Sequence, residues 1–255
     1  MILRGEIRYI FEMNFEYFRD FRERRLGAKR FSSNCQEGDD LILNHIFRYL
    51  DPRKNDLNYV EVGANDAFNE SISYQLAKQG WQGISIDSNP FHSVSYISRA
   101  KFLRQKNSKF ICAAIGIGGA PITMTYYHES LLNSSNIFFK IRAKDDSETI
   151  INEDIITTIE LNDILPSSLR HIQLLSINTR GSDFEVLKSL DLSVFNVDVI
   201  RIEILYTSIG EITEHPTYKY LYDQGYRLII KTLRVSFWIK PESETARWIP
   251  AELLN

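Results

Sequence analysis

The chain has 255 residues, 44% apolar and 25% charged, with 12 glycines and 7 prolines, a length and composition that fit one large globular domain with appendages and exclude collagenous or disordered classes. Thirty basic against 33 acidic side chains leave a formal net charge of −3, so no global positive field collects nucleic acid, and DNA or RNA is not the expected partner. Cys35 and Cys112 form neither a disulfide framework nor a zinc spacing, and no apolar run reaches membrane-span length, so a cytoplasmic protein without integral membrane contact is expected.

Residues 1–31 hold eight basic and five acidic side chains, and Phe11, Phe15, Phe18 and Phe21 recur at steps of four, three and three. That spacing predicts an amphipathic helix. It is expected to act as a lid, a homodimer contact or a membrane-surface element, or simply to pack its aromatic stripe on the domain behind it. A second helix, DDLILNHIFRYL, begins near residue 39 and stops at Asp51-Pro52.

Apolar runs bounded by breakers then predict strands at Tyr59–Val62, Gly83–Asp87, Phe110–Ile115, Gln173–Asn178 and Val199–Leu205. Helical segments fall near Asn69–Lys78, Phe91–Leu103, Asp183–Leu190 and Pro216–Asp223. Strand alternating with helix predicts a mostly parallel α/β sheet covered on both faces. RLIIK and VSFWIK read as an antiparallel hairpin at the sheet edge. The stretch from Pro121 to Leu161 is too long for an ordinary connection; its ITMTYY alternates like a strand, and long excursions of this kind tend to be functional or disordered. Gly116-Ile117-Gly118-Gly119 precedes a strand rather than a helix and reads as a turn, not a phosphate loop.

In an open parallel sheet, ligands bind beyond the carboxyl ends of the strands. After the first predicted strand comes Glu61-Val62-Gly63-Ala64-Asn65-Asp66, a sharp turn in which Gly63 lets a ligand approach the backbone. Asp87 follows 24 residues after Gly63, near the roughly 20 expected of a carboxylate that accepts from ribose hydroxyls. A nucleoside-containing ligand is expected. The turn lacks the GxGxxG cradle of a pyrophosphate, which argues against NAD and FAD.

The runs CQEGDDLIL, YVEVGANDAFNESISYQLAKQGWQGISIDSNP, AAIG, TTIELNDILPSSLRHIQLLSINTRGSDFEVLKSLDL, IRIEIL and YLYDQGYRL resemble the FkbM-type methyltransferases, a branch of the class I S-adenosylmethionine-dependent enzymes. The resemblance spans about residues 35–240. It implies a Rossmann-like seven-stranded, mostly parallel sheet with an N-terminal helical extension at 1–34, ahead of a methyltransferase domain at 35–255 with an insertion at about 120–160. It also implies S-adenosylmethionine as cofactor and O-methylation of a small metabolite, sugar or natural product. Carried over by position, Glu61, Gly63, Asn65 and Asp66 match the first cofactor loop, Asp87 with Ser88 the ribose site, and Ala113 and Ala114 the adenine site. Gln36 and Asp39 match the family's leading SQxGED stretch, or else mark only a helix start.

Where the family reads IDVEG, this chain reads Ile177-Asn178-Thr179-Arg180-Gly181. An acid has become an amide and another a guanidinium, which removes two ligands for a hard cation and argues against metal-assisted deprotonation. A carboxylate acceptor is already ionised at neutral pH and needs no base, and an arginine fork fits it in a bidentate way. The expectation is carboxyl O-methylation with Arg180 and Asn178 orienting the acceptor, unless Arg180 turns to solvent or pairs with Asp183 or Glu185. The alternatives are hydroxyl methylation of a sugar or polyketide with His128 as base, and an inactive binding module that keeps the fold. Glu203 in IRIEIL is expected to hold the acceptor or Arg180. His45 and His215 are read as structural.

Overall fold

The computed structural model describes residues 33, 35, 37–51, 56–105, 108–127, 150–205 and 207–254. The chain divides into two compact units, Met1–Ser33 and Asn34–Asn255. The aromatic stripe of the N-terminal segment, Gln36 and His128 lie outside the described residues.

Nine strands are described: β1 (Asn58–Val62), β2 (Gln82–Asp87), β3 (Lys109–Cys112), β4 (Pro121–Tyr127), β5 (Ile150–Thr157), β6 (His171–Ile177), β7 (Asn196–Glu203), β8 (Arg227–Lys231) and β9 (Val235–Ile239). The helices are α1 (Asp39–Ile46), α2 (Ser73–Lys78), α3 (His92–Phe102), α4 (Leu161–Ile164), α5 (Asp183–Lys188) and α6 (Pro216–Asp223). Seven strands form one sheet in the order β3-β2-β1-β6-β7-β9-β8, and β4 pairs with β5 in a separate two-stranded sheet. The pairings from β3 to β7 are parallel, and β9 is antiparallel to both of its neighbours. This is the seven-stranded, mostly parallel sheet that the resemblance implies.

Parallel strands flanked by crossover helices are buried on both faces, and β1, β6 and β7 are each buried along all but their first residue. Val60, Val62, Leu175, Ile177, Ile200 and Ile202 join Val186 and Leu187 of α5 and Leu221 of α6 in one core. Tyr59, Leu174, Val199, Phe237 and Ile239 join Leu43 and Ile46 of α1 and Leu76 of α2 in the other. His215 caps α6 ahead of Pro216 by accepting the Thr217 N–H at 3.2 Å, a structural role as expected.

Two elements differ from the sequence expectation. The third strand stops at Cys112, because Ala113 and Ala114 leave the sheet and Ile115 makes an isolated parallel bridge to Ile159. The long excursion contains a second strand, β5, which zips back onto β4 with Ile122 opposite Ile156 and Met124 opposite Asp154. The terminal hairpin is antiparallel and stands at the sheet edge as expected, its later strand, β9, occupying the inner place between β7 and β8.

Candidate active site

Strand order reverses between β1 and β6, and the chain leaves both strands at the same end of the sheet. Gly63 ends β1 with φ +74° and donates its N–H to the Ile86 carbonyl at 2.9 Å. The Asn178 N–H, just past β6, donates to the Val62 carbonyl at 3.0 Å. A Cβ on Gly63 would lie 2.0 Å from the Asn178 carbonyl oxygen. The glycine is therefore demanded by the close approach of the two strand ends as well as by its left-handed backbone, a reason that the sequence does not reveal.

Asp87 ties the next loop to this one. Its Oδ2 accepts the Asn65 N–H and its Oδ1 the Asn89 N–H, each at 2.8 Å. Asn65 itself has φ +50°. Gly63 and Asp87 thus face one crevice, in a lobe walled by Val62, Ala113, Ala114, Ile115, Ile122 and Met124, with Ser88 and His92 also lining it. The inward side of β4 supplies Ile122 and Met124, so the described part of the excursion shapes this apolar lobe.

A second lobe is charged. Glu37, Asp39, Glu61 and Glu70 line it together with Arg180, Arg201, Arg234, Cys35 and Ser176. Gly63, Asn65, Asn178 and Arg180 line both lobes and mark their junction. Arg201 is buried, donating from Nε to Asp39 Oδ2 at 3.0 Å and from Nη1 to Ser176 Oγ at 3.2 Å. Asp39 Oδ1 is buried with no partner among the described residues, and so are Asn178 Oδ1 and Thr179 Oγ1. Buried polar atoms are seldom left unpaired, so these three await a ligand or water.

Glu61 is buried, and its Oε2 accepts from Ser85 Oγ at 3.4 Å and from the Tyr96 hydroxyl at 3.5 Å. Burial pushes its carboxyl above the ordinary value, opposed by the Ser73 hydroxyl and the positive charges of Arg99 and Arg201. Arg99 is buried behind it, donating to Ser73 Oγ at 2.8 Å and to the Tyr59 hydroxyl at 2.9 Å. Its guanidinium also lies 4.5 Å from the Tyr96 ring centroid.

Of the residues expected from the sequence, Gly63, Asn65, Asp87, Ser88, Ala113, Ala114, Asn178 and Arg180 come together around the crevice, and Glu61 lines the charged lobe. Asp66 lines neither lobe; its Oδ1 accepts the N–H groups of Phe68 and Asn69 at 2.9 and 2.8 Å and so shapes its own turn. Glu203, expected to hold the acceptor or Arg180, instead accepts from Arg234 Nη2 at 2.9 Å, because the β8–β9 turn brings that guanidinium over the end of β7. It acts on the lobe through Arg234. Both oxygens of Asp183, weighed above as a partner for the Arg180 guanidinium, accept backbone N–H groups: Oδ1 from Thr179 at 2.8 Å and Oδ2 from Gly181 at 2.9 Å.

Sequence reasoning missed Glu37, Arg201, Arg234, Ile122 and Met124. A signal existed for Arg201, a charge alternating within the otherwise apolar IRIEIL run. The others are joined to the crevice only by tertiary folding. Among the described residues no group of three or more His, Cys, Asp or Glu side chains is placed to hold a metal ion. Nor does any described helix have the length and apolarity to cross a membrane.

Comparison with known proteins gives a match to the methyltransferase FkbM domain over residues 61–228. No curated protein matches the chain. Among solved structures it is similar to WbdD bound to the kinase inhibitor LY294002, at 12% identity and TM-score 0.43, over 79% of this chain and 40% of that one. It is also similar to a precorrin-6y C5,15-methyltransferase from Geobacter metallireducens GS-15, at 14% identity and TM-score 0.43, over 83% and 91% of the two chains. A third likeness is to magnesium protoporphyrin IX methyltransferase (ChlM) from Synechocystis PCC 6803 with bound SAM, at 11% identity and TM-score 0.38, over 87% and 90%. The chain thus spans about two fifths of the length of WbdD.

Proposed function

This chain belongs to the FkbM methyltransferase family, and from that premise we propose that it transfers a methyl group from S-adenosylmethionine to an oxygen of a small anionic acceptor, a carboxylate. The observation that carries the reading is the junction at Gly63 and Asn178. There an apolar lobe holding Asp87 meets a charged lobe with buried acceptors that have no partner among the described residues.

The residues present fit the cofactor. Asp87 has lone pairs left for ribose hydroxyls after accepting from Asn65 and Asn89. Ala113, Ala114, Ile122 and Met124 offer an apolar slot for a flat base. Asp39 Oδ1 and Asn178 Oδ1 lack donors among the described residues, and an α-ammonium brings three. Arg201 and Arg234 suit the neighbouring α-carboxylate. When bound, S-adenosylmethionine supplies an electrophilic methyl group on a cationic sulfur.

The chain's own contribution is alignment and exclusion of water. Arg180, at the junction of the lobes, offers a planar fork that turns an acceptor carboxylate toward the apolar lobe. Asn178 has its Oδ1 for the ammonium and its amide N–H groups for the acceptor. No general base is required, because a carboxylate is ionised at neutral pH.

Titration calorimetry with S-adenosylhomocysteine, followed by a screen of free carboxylates, sugars and polyketides with a labelled methyl donor, tests the reading. Arg180→Ala is expected to abolish labelling of carboxylates while S-adenosylhomocysteine still binds. Label that arrives on hydroxyl acceptors, with Arg180→Ala indifferent, would replace the carboxylate reading by hydroxyl methylation. A wild-type chain that binds no cofactor would leave only the inactive binding module.

A further inference from the structure

We propose that Asp183 is the positioning residue of this cleft, clasping the backbone N–H groups of Thr179 and Gly181 so that the 178–182 bend presents Asn178 and Thr179 to the cofactor and Arg180 to the acceptor. The inference rests on the assignment of the cleft to S-adenosylmethionine.

The geometry is local and complete. Asp183 opens α5, and its two oxygens accept from Thr179 and Gly181 at 2.8 and 2.9 Å. Between those donors Arg180 has φ +55° and Gly181 φ +111°, so two consecutive residues depart from ordinary backbone. Left-handed backbone is unfavourable for a non-glycine residue, and it persists only where surrounding contacts impose it. The paired N–H acceptance by one carboxylate is such a contact, and charge-assisted bonds of this kind are roughly twice as strong as neutral ones. Asn178, Thr179, Arg180 and Ser182 all line the lobe that holds Asp87, so the clasped bend forms one wall of it.

The environment of Asp183 gives the clasp a titration. The residue is buried, with 6% of its surface exposed. Glu203 faces it from β7, that glutamate being joined to Arg234 of the β8–β9 turn, and Arg180 stands on the same bend. Burial, and then the charge of Glu203, push the Asp183 carboxyl up to about 6, while the Thr179 and Gly181 N–H groups oppose the rise. Protonation occupies an oxygen and loosens one arm of the clasp.

Asp183→Asn keeps the shape and leaves a single acceptor oxygen for two donors. At neutral pH the variant, folded by circular dichroism, is expected to bind S-adenosylhomocysteine about tenfold more weakly than wild type, the scale of one charge-assisted hydrogen bond. Wild-type affinity should fall as the pH drops through about 6, whereas the variant's should not follow that titration. In the wild-type protein, which avoids any folding defect, the amide proton resonances of Thr179 and Gly181 should shift together over the same range. Unchanged affinity in the variant, or amide resonances that stay still through that titration, overturns the clasp alone. Failure of the wild type to bind at neutral pH overturns the cofactor assignment, and the clasp with it.

Discussion

Replacing Gly63 with alanine separates backbone strain from collision. The φ of +74° costs an L-residue about 1–2 kcal/mol wherever it occurs. At this position the new methyl group would also lie 2.0 Å from the Asn178 carbonyl oxygen and 2.7 Å from its carbon. Both atoms are backbone, so relief requires prising β1 from β6, and overpacking of that kind adds about 1–3 kcal/mol. Gly119 supplies the control, with φ +79° and nothing within 4 Å of a built Cβ. Gly119→Ala should lose only the strain, and Gly63→Ala about 1–3 kcal/mol more, read from urea denaturation midpoints. Because the displaced carbonyl belongs to Asn178, Gly63→Ala should also weaken S-adenosylhomocysteine binding. Equal stability losses at the two glycines would refute the collision, and unimpaired binding would refute its link to the cleft.

Asp87→Ala removes both the ribose acceptor and the tie to Asn65 and Asn89, and calorimetry should show S-adenosylhomocysteine affinity reduced by about a hundredfold or more, the sum of two such bonds. Met124→Asp places a carboxylate on the apolar wall and should cost about tenfold in the same titration through desolvation; an unchanged Kd would show that β4 does not touch the ligand. Stability should respond to pH through Asp183, whose carboxyl rises from 3.8 to about 6 on folding. The folded chain then binds more protons than the unfolded one between those values, so this group's contribution to stability falls as pH rises through that window. The melting temperature of wild type relative to Asp183→Asn should accordingly rise on acidification from neutral pH; a difference independent of pH contradicts the buried-charge account.

The alternation of apolar runs with helical segments was enough to place β1, β2, β6, β7 and the final hairpin, because central parallel strands are apolar on both faces and breakers bound them. Gly63 and Asp87 were legible for a related reason: the turn after the first strand and the acid after the second are set by local spacing. What escaped was set by contacts between distant residues. Arg201 meets Asp39 across 162 positions of sequence, and Glu37 meets the Arg234 N–H across 197. Strand β5 was hidden because IINEDIIT mixes acids with isoleucines, being a strand with Ile155 exposed on one side. The role of Asp183 was obscured because its partners are peptide N–H groups, which leave no mark on residue identity.

The placement of β9 inside the sheet bears on biosynthesis. Edge strand β8 hydrogen-bonds to β9 and to no other strand of the sheet, although it emerges from the ribosome first. Until β9 threads into place, β8 has no docking rail and the flank of β7, with Val199 and Ile202, is an open adhesive margin. The turn that delivers β9 also carries Arg234, so the seating of this strand and the completion of the charged lobe are one event.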